Sequence, residues 1–370
     1  MGMVSFKSLL HFKKVSIAVL AIVFVLFCVF AFRFGSIINV GGVNESSLPF
    51  WEKVAALFPL SEYKKDPQRL DVLILGLRGE DDPNAGLLAD MLMVVSYKKN
   101  TGQLALISIP RDLYVYIPGI NKKERLNFSY AYGESQEHGG GGPKLSKRLI
   151  SHIIGLDIDY AISIDFRAFQ EIVDILGGVT IYRDTPFIED KQWQGEGEEG
   201  NPFWYKKTIV DSPAQISKKF VAGEKAEKEK EIWALHIPEG RSTLDGSAAL
   251  YYVRSRFTTS DFDRCRRQQE VLLALKDKAF SLGVLTNPFK ILKITNSLKR
   301  HLRTDIPPEK IFDFIELLHS SKISNVKRKV FDTTSQGLLY ETRSQDDSYV
   351  LLPVGNNFNK IQEACQNIFQ

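Results

Sequence analysis

The chain has 370 residues, 44% of them hydrophobic, with 48 lysines and arginines against 44 aspartates and glutamates. That length allows one large domain or two small ones, and the mild net charge of +4 lacks the concentrated basic footprint of a nucleic-acid binder. No Cys-x-x-Cys and no spaced Cys/His set is present, so a cysteine or histidine metal centre is excluded. A Cys265–Cys365 disulfide is permitted but not favoured, because sequence cannot supply its geometry.

From Val15 to Phe32, eighteen residues carry no charge. As a helix they reach about 27 Å, close to the hydrocarbon thickness of a bilayer. Lys7, Lys13 and Lys14 flank the N-terminal side, which predicts a cytoplasmic N-terminus. The residues Ala31-Phe32-Arg33-Phe34 make a poor signal-peptidase site. The expected organisation is a cytoplasmic tail (1–14), a transmembrane helix (15–34), a juxtamembrane spacer (35–69) and an extracytoplasmic domain (70–370). The chain is thus expected to be a single-pass protein of the cell membrane. Within the spacer, Leu48, Phe50, Trp51, Val54, Leu57, Phe58 and Leu60 pattern as a short amphipathic helix, lying on the bilayer or packed on the domain.

DVLILG (71–76), MLMVVSY (91–97) and QLALISI (103–109) are short apolar runs that predict strands buried on both faces. The glycine run Gly139–Gly142 lacks the Lys-Ser/Thr of a phosphate loop and reads as a flexible link. YAISID (160–165) predicts another strand, followed by a helix from Phe166 to Leu176 that stops at Gly177-Gly178 before VTIY (179–182). Residues 189–232 crowd Glu, Lys and Gly and read as an exposed charged insertion. Helices are expected near 244–253, 264–281, 288–299 and 307–320, strands at KRKVF and YVLLP, and a last helix near 357–369. Interleaved strands and helices predict an α/β (α+β) fold, a central mixed β-sheet flanked by helices.

Three segments carry candidate chemistry. In SIPRDLYVYIPG (108–119), Arg111 follows a buried strand and projects at the sheet's end, where ligand sites of α/β proteins form; the alternative is a local Arg111–Asp112 clasp. Asp90 starts a strand and could join phosphate oxygens in holding a divalent ion, or simply cap a turn. In YYVRSRFTTSDFDRCRRQQE (251–270), five arginines fall between Arg254 and Arg267. Arg254 and Arg256 share a face of extended chain, and Arg264 and Gln268 share a helix side. Arginine forks match phosphate oxygens, and the apolar flanks argue against a mere solvated face, which remains the reading for Arg266. The nucleophile-elbow, zinc-protease and phosphate-loop signatures are all absent.

These segments, in this order, resemble the LytR-CpsA-Psr family of cell-wall enzymes. The resemblance rests on LILG (73–76), AD plus strand (89–97), SIPRDLYVYIPG (108–119), LNFSYAYG (126–133), IDYAISIDFRAFQEIVDILGGV (158–179), LDGSAALYYVRSR (244–256) and DFDRCRRQQ (261–269). It implies a phosphotransferase that moves a glycopolymer from a polyprenyl-pyrophosphate carrier to peptidoglycan, forming a phosphodiester. The implied partners are that lipid-linked donor, the peptidoglycan acceptor and the membrane, without nucleic acid. The family's binding arginine falls on Arg111, its paired arginines on Arg254 and Arg256, and its Arg-x-x-x-Gln on Arg264 and Gln268. Its strand-start aspartate, a contact of Mg2+ (or Mn2+), falls on Asp90. Two positions depart: Arg78 stands where the family commonly has an aspartate, and Leu88 where it commonly has an arginine. Glu80, Asp81 or Asp82 could supply the missing carboxylate. The alternatives are a polyprenyl-pyrophosphate pyrophosphatase using water as acceptor, or a non-catalytic scaffold that binds the lipid-linked glycan.

Overall fold

Alternation along the apolar runs sets the layers of the sheet. The computed structural model describes residues 48–59, 63, 65–79, 86–120, 122–210, 229–279, 301–307, 310 and 326–370. The apolar run Val15–Phe32, the acidic residues 80–82, the stretch 288–299 and nearly all of 307–320 lie outside the described residues. Among the described residues no helix is long and apolar enough to cross a membrane.

Helix α1 (Leu48–Leu57) buries Trp51 and Val54, with Phe58 just beyond, in the same core as the sheet. Of the two placements open to this amphipathic segment, packing on the domain is the one found. Strand β1 (Arg69–Leu77) sends Leu73, Leu75 and Leu77 into that core and Ile74 and Gly76 to the opposite face. Strands β2 (Ala89–Lys98) and β3 (Gln103–Ser108) follow antiparallel, with Leu92, Val94 and Ile107 on the first face and Met93, Leu104 and Leu106 on the second. This period of two explains why each run is apolar throughout: both faces are covered.

After a hairpin of β4 (Tyr114–Tyr116) and β5 (Lys123–Arg125), helices α2 (Phe128–Gln136) and α3 (Gly141–Ile154) cover the first face. The glycine run between them is a tight helix–helix contact, not the flexible link expected. A Cβ on Gly133 or Gly141 would run into the other residue's carbonyl, and one on Gly142 would meet the Tyr130 ring. The buried Glu134 carboxylate accepts from the backbone N–H groups of Gly139 and Gly142, which serves the α3 N-terminus.

Strand β6 (Tyr160–Asp165) joins β1 in parallel, and α4 (Phe166–Ile175) follows it. Strands β7 (Val179–Arg183), β8 (Phe187–Glu189), β9 (Trp204–Val210), β10 (Glu229–Ile237) and β11 (Gly240–Leu244) form two small sheets, β11-β7 and β8-β10-β9. They pack Phe187, Trp193, Trp204, Leu235 and Ile237 on α5 (Gly246–Arg254) as a second core. The reading of 189–232 as an exposed insertion is corrected for its described residues. Lys206, Lys207 and Glu231 are exposed on β9 and β10, while Trp193, Trp204 and Ile232 are buried.

Helix α6 (Asp261–Ala279) crosses the second face of the sheet, where Gln269 donates to Ser108 Oγ at 2.9 Å. Edge strands β12 (Leu302–Thr304) and β13 (Val326–Val330) complete the order β12-β6-β1-β2-β3-β13, a mixed sheet as expected. A hairpin of β14 (Leu339–Arg343) and β15 (Tyr349–Pro353) and the helix α7 (Asn359–Gln366) close the chain. Cys265 and Cys365 are both free and buried in separate surroundings, so the disulfide does not form.

Candidate active site

Four chain segments meet at one end of the sheet. β1 and β6 end there in parallel, just before Arg78 and at Asp165, and β2 begins there with Ala89 and Asp90. β3 ends there too, and a turn at Pro110, closed by Leu113 N–H on the Pro110 carbonyl, aims Arg111 across the edge. Helix α5 ends at Arg254, and Ser255 turns to extended geometry (ψ 137°), which releases Arg256 beside it. Arg254 and Arg256 therefore share the site through a helix end rather than through extended chain, although the spacing argument reached the same pairing. Helix α6 starts at Asp261 and presents Arg264 and Gln268 one turn apart.

These residues line one cavity of about 270 Å3. Its charged lining is Arg78, Asp90, Arg111, Arg254, Arg256 and Arg264. Its apolar lining is Ile74 and Ile162 from the sheet, Phe166, Phe169 and Ile172 from α4, Leu250 and Val253 from α5, and Leu272 and Leu275 from α6. All six site residues expected from sequence are brought together here. Gln268 contributes differently from the expectation, since its side-chain amide donates to the Val253 carbonyl at 3.3 Å and so ties α6 to the end of α5.

The charged part of the lining is organised around Asp90. Its Oδ2 accepts from Arg78 Nε at 2.8 Å, and its Oδ1 pairs with Arg111 Nη1. The backbone carbonyl of Asp90 accepts from Arg264 Nη2 at 3.2 Å. Burial alone would raise the Asp90 pKa, but Arg111, Arg264 and Arg78 together outweigh it and hold the carboxyl down at about 2. Asp261 pairs with Arg264 at 2.9 Å and lies 3.7 Å from Arg111, while Asp112 lies 3.5 Å from Arg111. Arg266 points to solvent and pairs with Asp263, as its surface reading implies.

Among the described residues, five guanidinium groups line the cavity with the carboxylates of Asp90 and Asp165, and Asp112 and Asp261 lie within ion-pair distance of the arginines from outside the lining. Arg254 has no carboxylate within ion-pair distance among them; its guanidinium lies over the rings of Phe166 (4.5 Å) and Trp193 (4.9 Å). Burial and then the nearby Arg78 push its pKa down, and burial and then Arg111 do the same for Arg256. Arg111 and Arg264 are 8% and 3% exposed, yet the Nε of each has no hydrogen-bond partner among the described residues. Buried, unpartnered donors and surplus positive charge are costly unless an anion completes them.

Three contributors escaped the sequence reading. Glu189 is fully buried, and its carboxylate accepts from the N–H groups of Lys191, Gln192, Phe257 and Thr258 and from Thr258 Oγ1, at 3.0–3.1 Å. Gln192 then accepts from Arg256 N–H at 2.8 Å and reaches the Arg254 carbonyl at 3.4 Å. Together they fasten the arginine loop to the small sheet. Asp165 lines the cavity but caps α4 through Ala168 N–H and pairs with His301 Nδ1 at 2.5 Å. Asp261 lay within a quoted block of the resemblance; Glu189 had no signal beyond an acidic neighbourhood.

The described residues do not by themselves supply a ligand set for the divalent ion that the resemblance implies, and Glu80, Asp81 and Asp82 lie outside them. Both Asp90 oxygens accept from guanidinium groups, and a cation occupies position 78 beside them. Among the described residues no group of three or more His, Cys, Asp or Glu side chains could hold a metal ion.

An expected consequence of the Asp90 geometry concerns acid stability. A carboxyl depressed from 3.8 to about 2 contributes stability that is complete above the unfolded value and lost as pH falls through the folded one. The contribution is about 2 kcal/mol. Urea unfolding should show wild type more stable than Asp90→Asn near neutrality, with the gap closing as pH falls toward about 2; a gap independent of pH would contradict the pairing.

Comparison with known proteins places this architecture. The polyisoprenyl-teichoic acid–peptidoglycan teichoic acid transferase TagU of Oceanobacillus iheyensis is 27% identical over 254 residues, 68% of this chain and 63% of that protein. TagT of Bacillus subtilis, with the same named activity, is 27% identical over 293 residues, 76% of this chain and 74% of that one. The chain thus spans less than two thirds of the TagU relative. Among solved structures, TagT bound to LIIa-WTA superposes with a TM-score of 0.53 at 22% identity, over 83% of this chain and 93% of that one. B. subtilis TagV gives 0.55 at 19%, over 82% and 98%, so the fold is shared. The LytR_cpsA_psr family profile matches residues 51–367, from the buried Trp51 to the last helix, and the chain belongs to that family.

Proposed function

We propose that this protein transfers a glycopolymer from a polyprenyl-pyrophosphate carrier to peptidoglycan. The observation that carries the reading is the cavity itself: an apolar pocket between the sheet and three helices whose lining also holds five arginines, one of which, Arg254, has no carboxylate within ion-pair distance among the described residues. A pyrophosphate esterified at both ends carries two negative charges and an isoprenoid tail, and it complements both halves. The named activity of the TagU and TagT relatives supports the same donor and acceptor.

In this reading Arg254 and Arg256 take phosphate oxygens from the α5 side, and Arg111 and Arg264 from the sheet and α6. The Nε of Arg264 has no hydrogen-bond partner among the described residues, and that of Arg111 has only the looser ion-pair contacts to Asp112 and Asp261, which leaves both able to donate to such oxygens. A hydroxyl oxygen of peptidoglycan attacks the sugar-side phosphorus as the bond to the bridging oxygen breaks. Polyprenyl phosphate leaves with that oxygen and its electron pair, and the hydroxyl proton ends on the departing phosphate. The arginines disperse the charge that collects on the leaving oxygens, the main lever available in phosphoryl transfer. A carboxylate held at about 2 is a weak base, so Asp90 orients Arg78 and Arg111 rather than activating the hydroxyl. The apolar run Val15–Phe32 anchors the chain in the cell membrane with this domain outside, beside the lipid-bound donor.

The test is affinity. A polyprenyl pyrophosphate should bind at least about tenfold more tightly than the matching monophosphate, one extra charge-assisted contact being worth more than 1.4 kcal/mol. Equal affinities would contradict the head-group reading.

A further inference from the structure

We infer that Arg267, which lies outside the cavity lining, is a positioning residue that sets Arg254 and Arg256 on the pyrophosphate by fixing the backbone around them. The inference rests on the pyrophosphate reading above. Arg267 belongs to α6 and is 5% exposed. Its Nε donates to the Tyr252 carbonyl at 3.0 Å, its Nη2 to the Ser255 carbonyl, and its Nη1 to Thr259 Oγ1 at 3.2 Å. These three acceptors lie before Arg254, between Arg254 and Arg256, and after Arg256. The guanidinium is rigid and planar, so it holds the three at fixed relative positions.

The end of α5 shows why such a fork is needed. In a continuing helix the Tyr252 carbonyl would accept from the N–H of Arg256, but that N–H donates to Gln192 Oε1 at 2.8 Å instead. Arg267 takes the carbonyl in its place. The Val253 and Arg254 carbonyls accept from Gln268 at 3.3 Å and Gln192 at 3.4 Å, and the Ser255 carbonyl again from Arg267. Every carbonyl from Tyr252 to Ser255 is therefore held by a side chain, and the chain turns at Ser255 (φ −60°, ψ 137°) without a glycine. That turn brings the Arg254 and Arg256 side chains to one cavity.

Two buried charges grip this segment from opposite sides. Glu189 accepts from the N–H groups of Phe257 and Thr258, and Arg267 donates to the carbonyls of Tyr252 and Ser255. Arg267 has no carboxylate within ion-pair distance among the described residues; its guanidinium lies over the Phe187 ring at 4.9 Å and the Tyr252 ring at 5.5 Å. Burying a cation to hold backbone carbonyls is costly, and the gain is a single geometry for the two arginines between them. Arg111 and Arg264 are held separately, through Asp90, Asp112 and Asp261. Loss of Arg267 should thus loosen one pair of phosphate-binding arginines and spare the other.

The experiment uses the full-length chain in detergent, with a fluorescent polyprenyl pyrophosphate and the matching monophosphate as probes. Arg267→Lys keeps the charge but cannot span three acceptors. It should lose at least about tenfold in affinity for the pyrophosphate and stay within about twofold of wild type for the monophosphate. In an Arg254→Ala, Arg256→Ala background the same substitution should change pyrophosphate affinity by no more than about twofold, because the groups it acts through are gone. Thr259→Val removes one acceptor of the fork at an exposed position. It serves if the lysine variant does not fold, with a loss of about threefold confined to the pyrophosphate. Equal losses for both lipids, no loss for either, or a loss that persists in the double-alanine background would overturn the inference and leave the pyrophosphate reading intact. Wild type binding both lipids equally would overturn that reading, and the inference with it.

Discussion

Replacing Arg254 by alanine is expected to reduce transfer on the order of 10³-fold while leaving the unfolding transition nearly unchanged. The asymmetry follows from its surroundings. Arg254 stacks on Phe166 and Trp193 and has no carboxylate partner among the described residues, so its removal strands no buried negative charge. Its own burial and the nearby Arg78 already disfavour its charge, which is the condition of a group held for a ligand rather than for the fold. Arg254→Lys keeps the charge but loses the fork, and should fall between the two. Arg111→Ala is expected to behave differently, losing stability as well as activity, because Asp90, Asp112 and Asp261 all lean on that guanidinium. Transfer rates beside urea titrations separate these cases. A comparable stability loss in both variants would contradict the distinction.

The second large effect is expected at Glu189, far from any reacting atom. Its carboxylate gathers five donors from two loops at zero exposure, and Glu189→Ala leaves them buried without a partner. A cost of about 3–5 kcal/mol in unfolding free energy is expected. The arginine loop would also lose its tether. Phe257 and Thr258 are held through Glu189 directly, and Arg256 through the neighbouring Gln192. Pyrophosphate affinity should therefore fall even at temperatures where the variant remains folded. Stability within about 1 kcal/mol of wild type would show that the loop is held by other contacts.

Strands were the most legible part of the sequence. The runs at 71–76, 91–97 and 103–109 are covered on both faces, so each reads as nearly continuous apolar chain broken by single buried polar residues such as Asp71, Ser96 and Ser108. The arginine cluster was legible for a related reason, since buried charge beside apolar flanks demands a ligand. What stayed hidden depends on contacts distant in sequence. Gly133 and Gly141 look like loop residues until two helices are seen to touch through them. The segment around Trp193 and Trp204 looked solvated because its charged residues outnumber its apolar ones, yet alternation puts the few apolar ones inward against α5. Glu189 could not be told from its acidic neighbours, because its partners lie near residue 257, almost seventy positions away. Arg78 was visible as a departure from the family pattern, but only the geometry shows that it pairs with Asp90.

The central claim is that the arginine cluster and apolar pocket serve transfer from a lipid pyrophosphate to the wall. It is tested most directly by incubating the purified protein with a polyprenyl-pyrophosphate-linked glycan and peptidoglycan fragments, and following the products by mass spectrometry. The account predicts a phosphodiester-linked glycan–peptidoglycan adduct together with polyprenyl phosphate, both lost in Arg254→Ala. Free phosphate-ended glycan with no adduct, or lipid retained without turnover, would contradict it.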